Sequence, residues 1–317
     1  MRYTGYHRPE MNLWKGRTDH ASDRDFFRFH QVVKPLNLHD VLPDFTGKTF
    51  CLLGFASDEG VRRNQGRPGA ADGPDAIRKG LASLPWHWDG VELYDAGDIA
   101  CTDGDLEKAE DVLAEMAEKI CRAGAFPIVL GGGHEVALGH FRGLKKYYGK
   151  GLGIINIDAH FDMRALDKSM SSGTMFAQIA DESEDFRYFC LGIQKTGNTR
   201  ALFKKADELG VKYLTADDLR YGADTEELDD FIERSGAIYL TLCFDVIASA
   251  FAPGVSAPQP FGLHPDTVRR LIVEILSSGR VVGFDIAEVA PKLDVDARTS
   301  KLAAHIIFYL IEHISEM

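Results

Sequence analysis

Short apolar runs recur along the chain from about residue 49, each closing on a polar or glycine residue, and they alternate with stretches of helical period. The runs at 49–57, 126–130, 153–157, 186–193, 237–245 and 281–287 are rich in β-branched and aromatic side chains, as strands covered on both faces are. Between them, 72–84, 106–123, 136–148, 200–209, 225–235, 265–278 and 299–314 read as helices. Pro74 sits near the first position of its helix. Val112, Met116 and Ile120 form one stripe of another, with Gly124 just beyond its end. Strands alternating with helices predict βαβ units, a mostly parallel sheet and a single α/β domain over 46–317. Residues 1–45 carry Trp14, Phe26, Phe27 and Phe29 among many charges without a period. They read as an irregular arm that covers part of the domain or reaches a neighbouring subunit.

The bulk numbers narrow the partners. The chain has 317 residues, 45% of them hydrophobic and 26% charged, with a net charge of -12. That balance argues against nucleic acid or an anionic membrane as the main partner. An anionic substrate would need cationic side chains gathered locally. The five cysteines, Cys51, Cys101, Cys121, Cys190 and Cys243, are scattered and show no C-x-x-C spacing, so no disulfide framework or structural zinc site is indicated. The first ten residues are polar and no run approaches the ~20 apolar residues of a membrane span. A soluble, cytoplasmic protein is expected.

The candidate chemistry lies at the ends of the strands, where parallel sheets place their working groups. The strand at 153–157 runs into Asp158, His160 and Asp162. A lone D-x-H-x-D also fits a strand ending in a solvated loop, since short motifs match by chance. Three other strand ends are loaded as well: His134 with Glu135, Cys243 with Asp245, and Asp285 with Glu288. Carboxylates and imidazoles crowded together call for a cation, and hard oxygens with two imidazoles suit Mn²⁺ or a similar divalent ion. Two ions sharing bridging carboxylates would lower the pKa of a water between them, which is machinery for hydrolysis. Gly131 to Gly133 lack the context of a nucleotide loop and fit a tight turn with close backbone approach.

Three blocks, G-G-G-H-E (131–135), D-A-H-F-D (158–162) and T-L-C-F-D-V-I-A-S-A-F-A-P-G (241–254), resemble the arginase/agmatinase-type ureohydrolases, with support from 66–78 and 283–291. The resemblance implies a three-layer αβα domain and two Mn²⁺ per subunit. By position, His134 would bind one ion and His160 the other, Asp158 would bridge, Asp162 would complete the first site and Asp245 would serve the second. Glu288 falls where the family holds a cationic guanidinium or amidinium head. A homo-oligomer of trimeric or hexameric type is also implied. The third block departs from the pattern: Cys243 stands where a second bridging Asp is usual, and Ala248-Ser249 replaces a further Asp-Pro. A thiolate at Cys243 would shift preference from Mn²⁺ toward softer ions and put the second metal in doubt, and it would be open to oxidation. Read otherwise, Cys243 is a small buried hydrophobe.

Within the family, Ser172 lies where many arginases carry a histidine. Arg164 follows the D-A-H-F-D block and offers bidentate recognition of a carboxylate. These residues, with 58–67 and 171–179, look like the formimidoylglutamase branch, which implies an anionic amidine substrate, N-formimidoyl-glutamate. Arg164 would hold one carboxylate, unless it pairs with Asp167, and Arg62 or Arg63 the second. Ser172 and Asn198 are further candidates for substrate contact, and Asp162 or a relayed water is the candidate proton source for the leaving amine. The competing readings are agmatinase, whose cationic substrate tail Arg164 would repel, guanidino-acid hydrolase activity, and an inactive metabolite-binding relative.

Overall fold

The computed structural model describes residues 4–166, 169–222 and 225–317. The described residues form one sheet of ten strands: β1 (Tyr6–His7), β2 (Lys34–Pro35), β3 (Lys48–Ala56), β4 (Val91–Ala100), β5 (Phe126–Leu130), β6 (Leu152–Ile157), β7 (Tyr188–Ile193), β8 (Lys212–Thr215), β9 (Ala237–Cys243) and β10 (Val281–Ala287). Their order is β1-β4-β3-β5-β10-β9-β6-β7-β8, with β2 also paired to β4. Only β1 against β4 is antiparallel among the described pairings. The last two strands therefore insert between β5 and β6, and the mostly parallel α/β sheet expected from the sequence is present.

Successive side chains of a strand point to opposite faces, and this sheet buries both. Phe50 and Leu52 of β3, with Ile155 and Ile157 of β6, join one core beneath the helices at Gly73–Ala82, Pro265–Leu276 and Arg298–Glu316. Cys51, Leu53 and Ile154 face a second core beneath Leu106–Arg122, Val136–Tyr148 and Met175–Glu182. Helices on both faces make the three layers. Among the described residues, no helix is long and apolar enough to cross a membrane.

The sequence reading does not contain β4 or the helix Met175–Glu182. The reason is visible for β4: Asp95, Gly97 and Asp98 interrupt its apolar pattern, yet Asp95 is fully buried. Buried Arg78 bonds Asp95 Oδ1 at 3.0 Å and Asp98 Oδ1 at 2.7 Å, and the Trp14 indole donates to Asp95 Oδ2 at 2.7 Å. Removing one partner of such a network costs ~3–5 kcal/mol, because a buried charge is left unpaired. Through Trp14 it also fastens the N-terminal arm. That arm adds β1 and β2 to the sheet beside β4, and is otherwise turns, loops and single helical turns. It lies at the β4 edge, separated from β5 by β3.

Candidate metal centre and substrate cleft

The four loaded strand ends belong to four consecutive neighbours, β5, β10, β9 and β6. Register pairs Leu130 with Ile286, Ala287 with Cys243, and Leu242 with Ile157. Adjacent strands lie ~4.8 Å apart, so the residues that follow emerge side by side at one edge. The loop after β5 can turn there only as glycine: a Cβ on Gly132 would lie 1.7 Å from the Ser57 carbonyl oxygen. It is clamped to the end of β10, with His134 N–H donating to Glu288 Oε1 at 3.1 Å and Glu288 N–H to Gly132 O at 2.8 Å. Asp162 and Glu288 occupy the left-handed region, with φ of 46° and 67°. Such backbone costs of order 1–3 kcal/mol per residue and persists where the surroundings over-determine it, often at functional sites.

Asp158 presents one carboxylate oxygen to each imidazole. Its Oδ2 lies 2.9 Å from His134 Nδ1, and its Oδ1 lies 3.6 Å from His160 Nδ1. Asp162 Oδ2 is 3.0 Å from His134 Nδ1, and Asp245 Oδ2 is 3.1 Å from His160 Nδ1. Ligand atoms of His134, Asp158 and Cys243 lie within 4.8 Å of one another, as do those of Asp158, His160 and Asp245. Two ligand groups thus share Asp158. The first contains the Cys243 sulfur, while the second is entirely nitrogen and oxygen.

Four buried or nearly buried carboxylates face only two imidazoles here. Burial, then the charge of Asp158, pushes Asp162 up to about 6. Burial, then the charges of Asp245 and Glu135, drives Glu288 well above the carboxylate range. Burial, then Asp158, Asp245 and Glu288, keeps the Cys243 thiol well above its ordinary value. Burial opposes the charge on His134, but hydrogen bonds to Asp158 and Asp162 outweigh it and hold the ring well above the usual histidine range. His160 is raised likewise, the pull of Asp245 and Asp158 overcoming burial. Asp245 Oδ1 and Glu288 Oε2 are buried without a hydrogen-bond partner among the described residues. A surplus of buried negative charge with orphaned carboxylate oxygens is what a bound cation relieves. The donor set fits a divalent metal.

The remaining candidates divide. Arg164 and Ser172 line the same cleft as His134, His160, Asp162 and Glu288. Arg164 is exposed and has no carboxylate partner among the described residues; Asp167, its alternative partner, lies outside them. One expectation is corrected, and another candidate is found already engaged. Arg63 does not reach the cleft, because Glu59 at 2.9 Å, Glu107 at 2.8 Å and the Gly104 carbonyl at 2.8 Å occupy its guanidinium. Arg62 is likewise tied to Glu59. Asn198 lines the cleft but has spent its amide: it donates to Ala159 O and Gln194 O, both at 2.8 Å, and accepts from Phe161 N–H at 3.0 Å. It holds the loop that carries His160 rather than offering a free donor. Glu135 accepts from Gly60 N–H at 2.8 Å and anchors the neighbouring loop. Asp285 lies behind the ligands, not among them.

The sequence reading missed Asn64, Thr241 and Gln259. Thr241 was legible, since alternate residues of a strand share a face and Thr241 precedes Cys243 by two. It contacts His134 Nε2 at 3.0 Å. Gln259 lies 3.5 Å from His160 Nε2. Asn64 bonds Ser172 Oγ at 3.3 Å and lines the cleft, and nothing in its surrounding sequence signals this. A larger cavity of about 900 Å³ lies alongside, lined by Lys195, Arg200, Phe203, Tyr213 and Arg220. It meets the cleft at Asn198 but contains none of the loaded strand ends.

Residues 48–312 match the model of the Arginase family. A formimidoylglutamase of Clostridium tetani is 48% identical, covering 96% of this chain and 95% of its own. One of Geobacillus thermodenitrificans is 44% identical, covering 98% of each. Among solved structures, the formimidoylglutamase of Bacillus subtilis superposes with a TM-score of 0.82 over 93% of this chain and 94% of that one, at 24% identity, a likeness of fold. A Trypanosoma cruzi formiminoglutamase crystallised with Mn²⁺ gives a TM-score of 0.77 at 25% identity, covering 88% and 98%.

The cleft generates one direct expectation. A Cβ on Gly197 would lie 2.8 Å from His160 Nε2, so Gly197→Ala must displace the imidazole. Divalent-cation affinity, measured by calorimetric titration, is expected to fall at least about tenfold, the scale of a disturbed ligand orientation. An unchanged affinity in a normally folded variant would show that His160 holds no ion.

Proposed function

The chain belongs to the arginase family, and on that premise we propose that it hydrolyses N-formimidoyl-L-glutamate to L-glutamate and formamide. The observation that carries the substrate is Arg164, a guanidinium in the cleft with no carboxylate partner among the described residues, close to an otherwise acidic cluster. A substrate with a cationic amidine at one end and carboxylates at the other matches that polarity. The formimidoylglutamases of Clostridium tetani and Geobacillus thermodenitrificans, similar over nearly their whole length, support the same reading.

The residues that would hold manganese are His134, Asp158, Asp162 and Cys243 on one side, and Asp158, His160 and Asp245 on the other. Bound there, the metal supplies Lewis acidity, which makes water nucleophilic near neutral pH. Glu288 receives the amidinium on its partnerless oxygen and stabilises its charge as the formimidoyl carbon becomes tetrahedral. Arg164 fixes the glutamate end by charge-assisted hydrogen bonds to a carboxylate. Asp162 is assigned to deliver a proton to the leaving nitrogen of glutamate. A cationic chain such as that of agmatine would meet repulsion at Arg164, and this separates the proposed substrate from agmatine.

Three measurements test this reading. Full-length protein stripped by chelator and refilled with Mn²⁺ under reducing conditions is expected to release glutamate from N-formimidoyl-glutamate and to leave L-arginine, agmatine and guanidinobutyrate intact. Turnover of a guanidino compound instead would overturn the specificity, and no turnover would favour a metabolite-binding protein. Arg164→Gln is expected to raise KM by roughly 10–100-fold with a much smaller change in kcat, since a charged hydrogen bond to substrate contributes ~1.5–3 kcal/mol; an unchanged KM would remove Arg164 from substrate binding. Refilling with Co²⁺ is expected to produce a thiolate-to-metal absorption band that Cys243→Ser abolishes. A wild-type spectrum without that band would make Cys243 packing only.

A further inference from the structure

Behind His134, on the side away from Asp158 and Asp162, the structure contains a closed polar network that none of the chemistry above uses. His134 Nε2 lies 3.0 Å from Thr241 Oγ1, and the Thr241 hydroxyl donates to Asp285 Oδ1 at 2.5 Å. Asp285 Oδ2 accepts from the Tyr239 hydroxyl at 2.5 Å and lies 2.7 Å from His140 Nδ1. Thr241, Asp285, Tyr239 and His140 are all fully buried. His140 Nε2 has no partner among the described residues, which leaves Nδ1 as the ring's donor toward Asp285.

The directions of these bonds follow from donor counting. A carboxylate only accepts, so the hydroxyl proton of Thr241 is committed to Asp285. The oxygen of Thr241 is then left to accept from His134 Nε2–H. With one proton committed at Nε2, Nδ1, the nitrogen that faces Asp158, Asp162 and Cys243, is the one left to give up its proton when a cation binds. An imidazole whose far nitrogen is bonded to an acceptor is fixed in tautomer and orientation and becomes a better metal donor. Among the described residues His160 has no comparable arrangement: its Nε2 meets the Gln259 amide alone, at 3.5 Å. The two sides of the centre therefore differ in how firmly their imidazoles are set.

We infer that Thr241 and Asp285 are positioning residues for the ion held by His134, acting through that histidine and selectively over the ion held by His160. The inference rests on the metal-centre reading above. Tyr239 and His140 serve as the additional donors that keep Asp285 in place in an otherwise apolar surrounding, where an unsatisfied carboxylate would not persist.

The test is Mn²⁺ binding to the chelated full-length protein, followed by equilibrium titration and by electron paramagnetic resonance. Wild type is expected to take up two ions and give the spectrum of a coupled pair. Thr241→Val is expected to weaken one ion by roughly 10–100-fold, the usual effect of losing such a partner. It should then show an uncoupled single-ion spectrum at concentrations that fill both positions in wild type. Thr241→Ser, which restores the hydroxyl, is expected to restore the pair. Asp285→Asn provides a second route to the same selective loss should Thr241→Val not fold. Equal weakening of both ions, or unchanged affinities in Thr241→Val, would overturn the inference. A wild-type protein that binds no manganese would instead sink the metal centre on which it rests.

Discussion

Repulsion among carboxylates is the constraint around which this molecule is built. Two unit charges ~4 Å apart cost about 4 kcal/mol even at an effective dielectric constant near 20. Asp162, Asp245 and Glu288 line one cleft and Asp158 lies buried behind it against both imidazoles, and several such pairs together approach the ~5–15 kcal/mol that holds a whole domain folded. Protons on the imidazoles and raised carboxyl pKa values absorb part of that cost, and a divalent cation absorbs it better. The surrounding fold has to keep the acids from moving apart. It does so with four adjacent strands in fixed register, a glycine turn that tolerates no side chain, and two residues held at positive φ.

Much of this was legible in the chain because strand ends are punctuated. The runs before His134, Asp158, Asp245 and Glu288 differ from their surroundings in hydrophobicity, and each is followed within a few residues by an ionisable group. Their convergence was inferable from parallel topology alone. What could not be read was the neighbour order, which depends on β9 and β10 inserting between strands far earlier in sequence. β4 was lost for a related reason. Asp95 and Asp98 look like surface acids until Arg78, remote in sequence, is placed against them.

Two substrate candidates share a limit. Arg63 and Asn198 are the right residue types in the right stretch, yet each has committed its donors elsewhere, Arg63 to Glu59 and Glu107 and Asn198 to backbone carbonyls. A sequence shows which groups exist but not which are already spent. Arg164 stands apart because none of the described carboxylates claims it. Cys243 illustrates a further limit. Its position beside His134 and Asp158 makes the two halves of the centre chemically unequal, one including sulfur and the other not.

The insertion of β9 and β10 between β5 and β6 has a consequence for the newly made protein. During synthesis β5 and β6 emerge early, with nothing to bridge the gap between them but strands still inside the ribosome. Pairings of such long sequence separation form late and expose unpaired edges meanwhile. A chain that has reached only residue 280 carries His134, Asp158 and His160 but lacks the strand that holds the two halves of the sheet together. The centre is thus completed by the last of its own strands to be translated, β10, and a product terminated before it would be an aggregation hazard before it could ever be an enzyme.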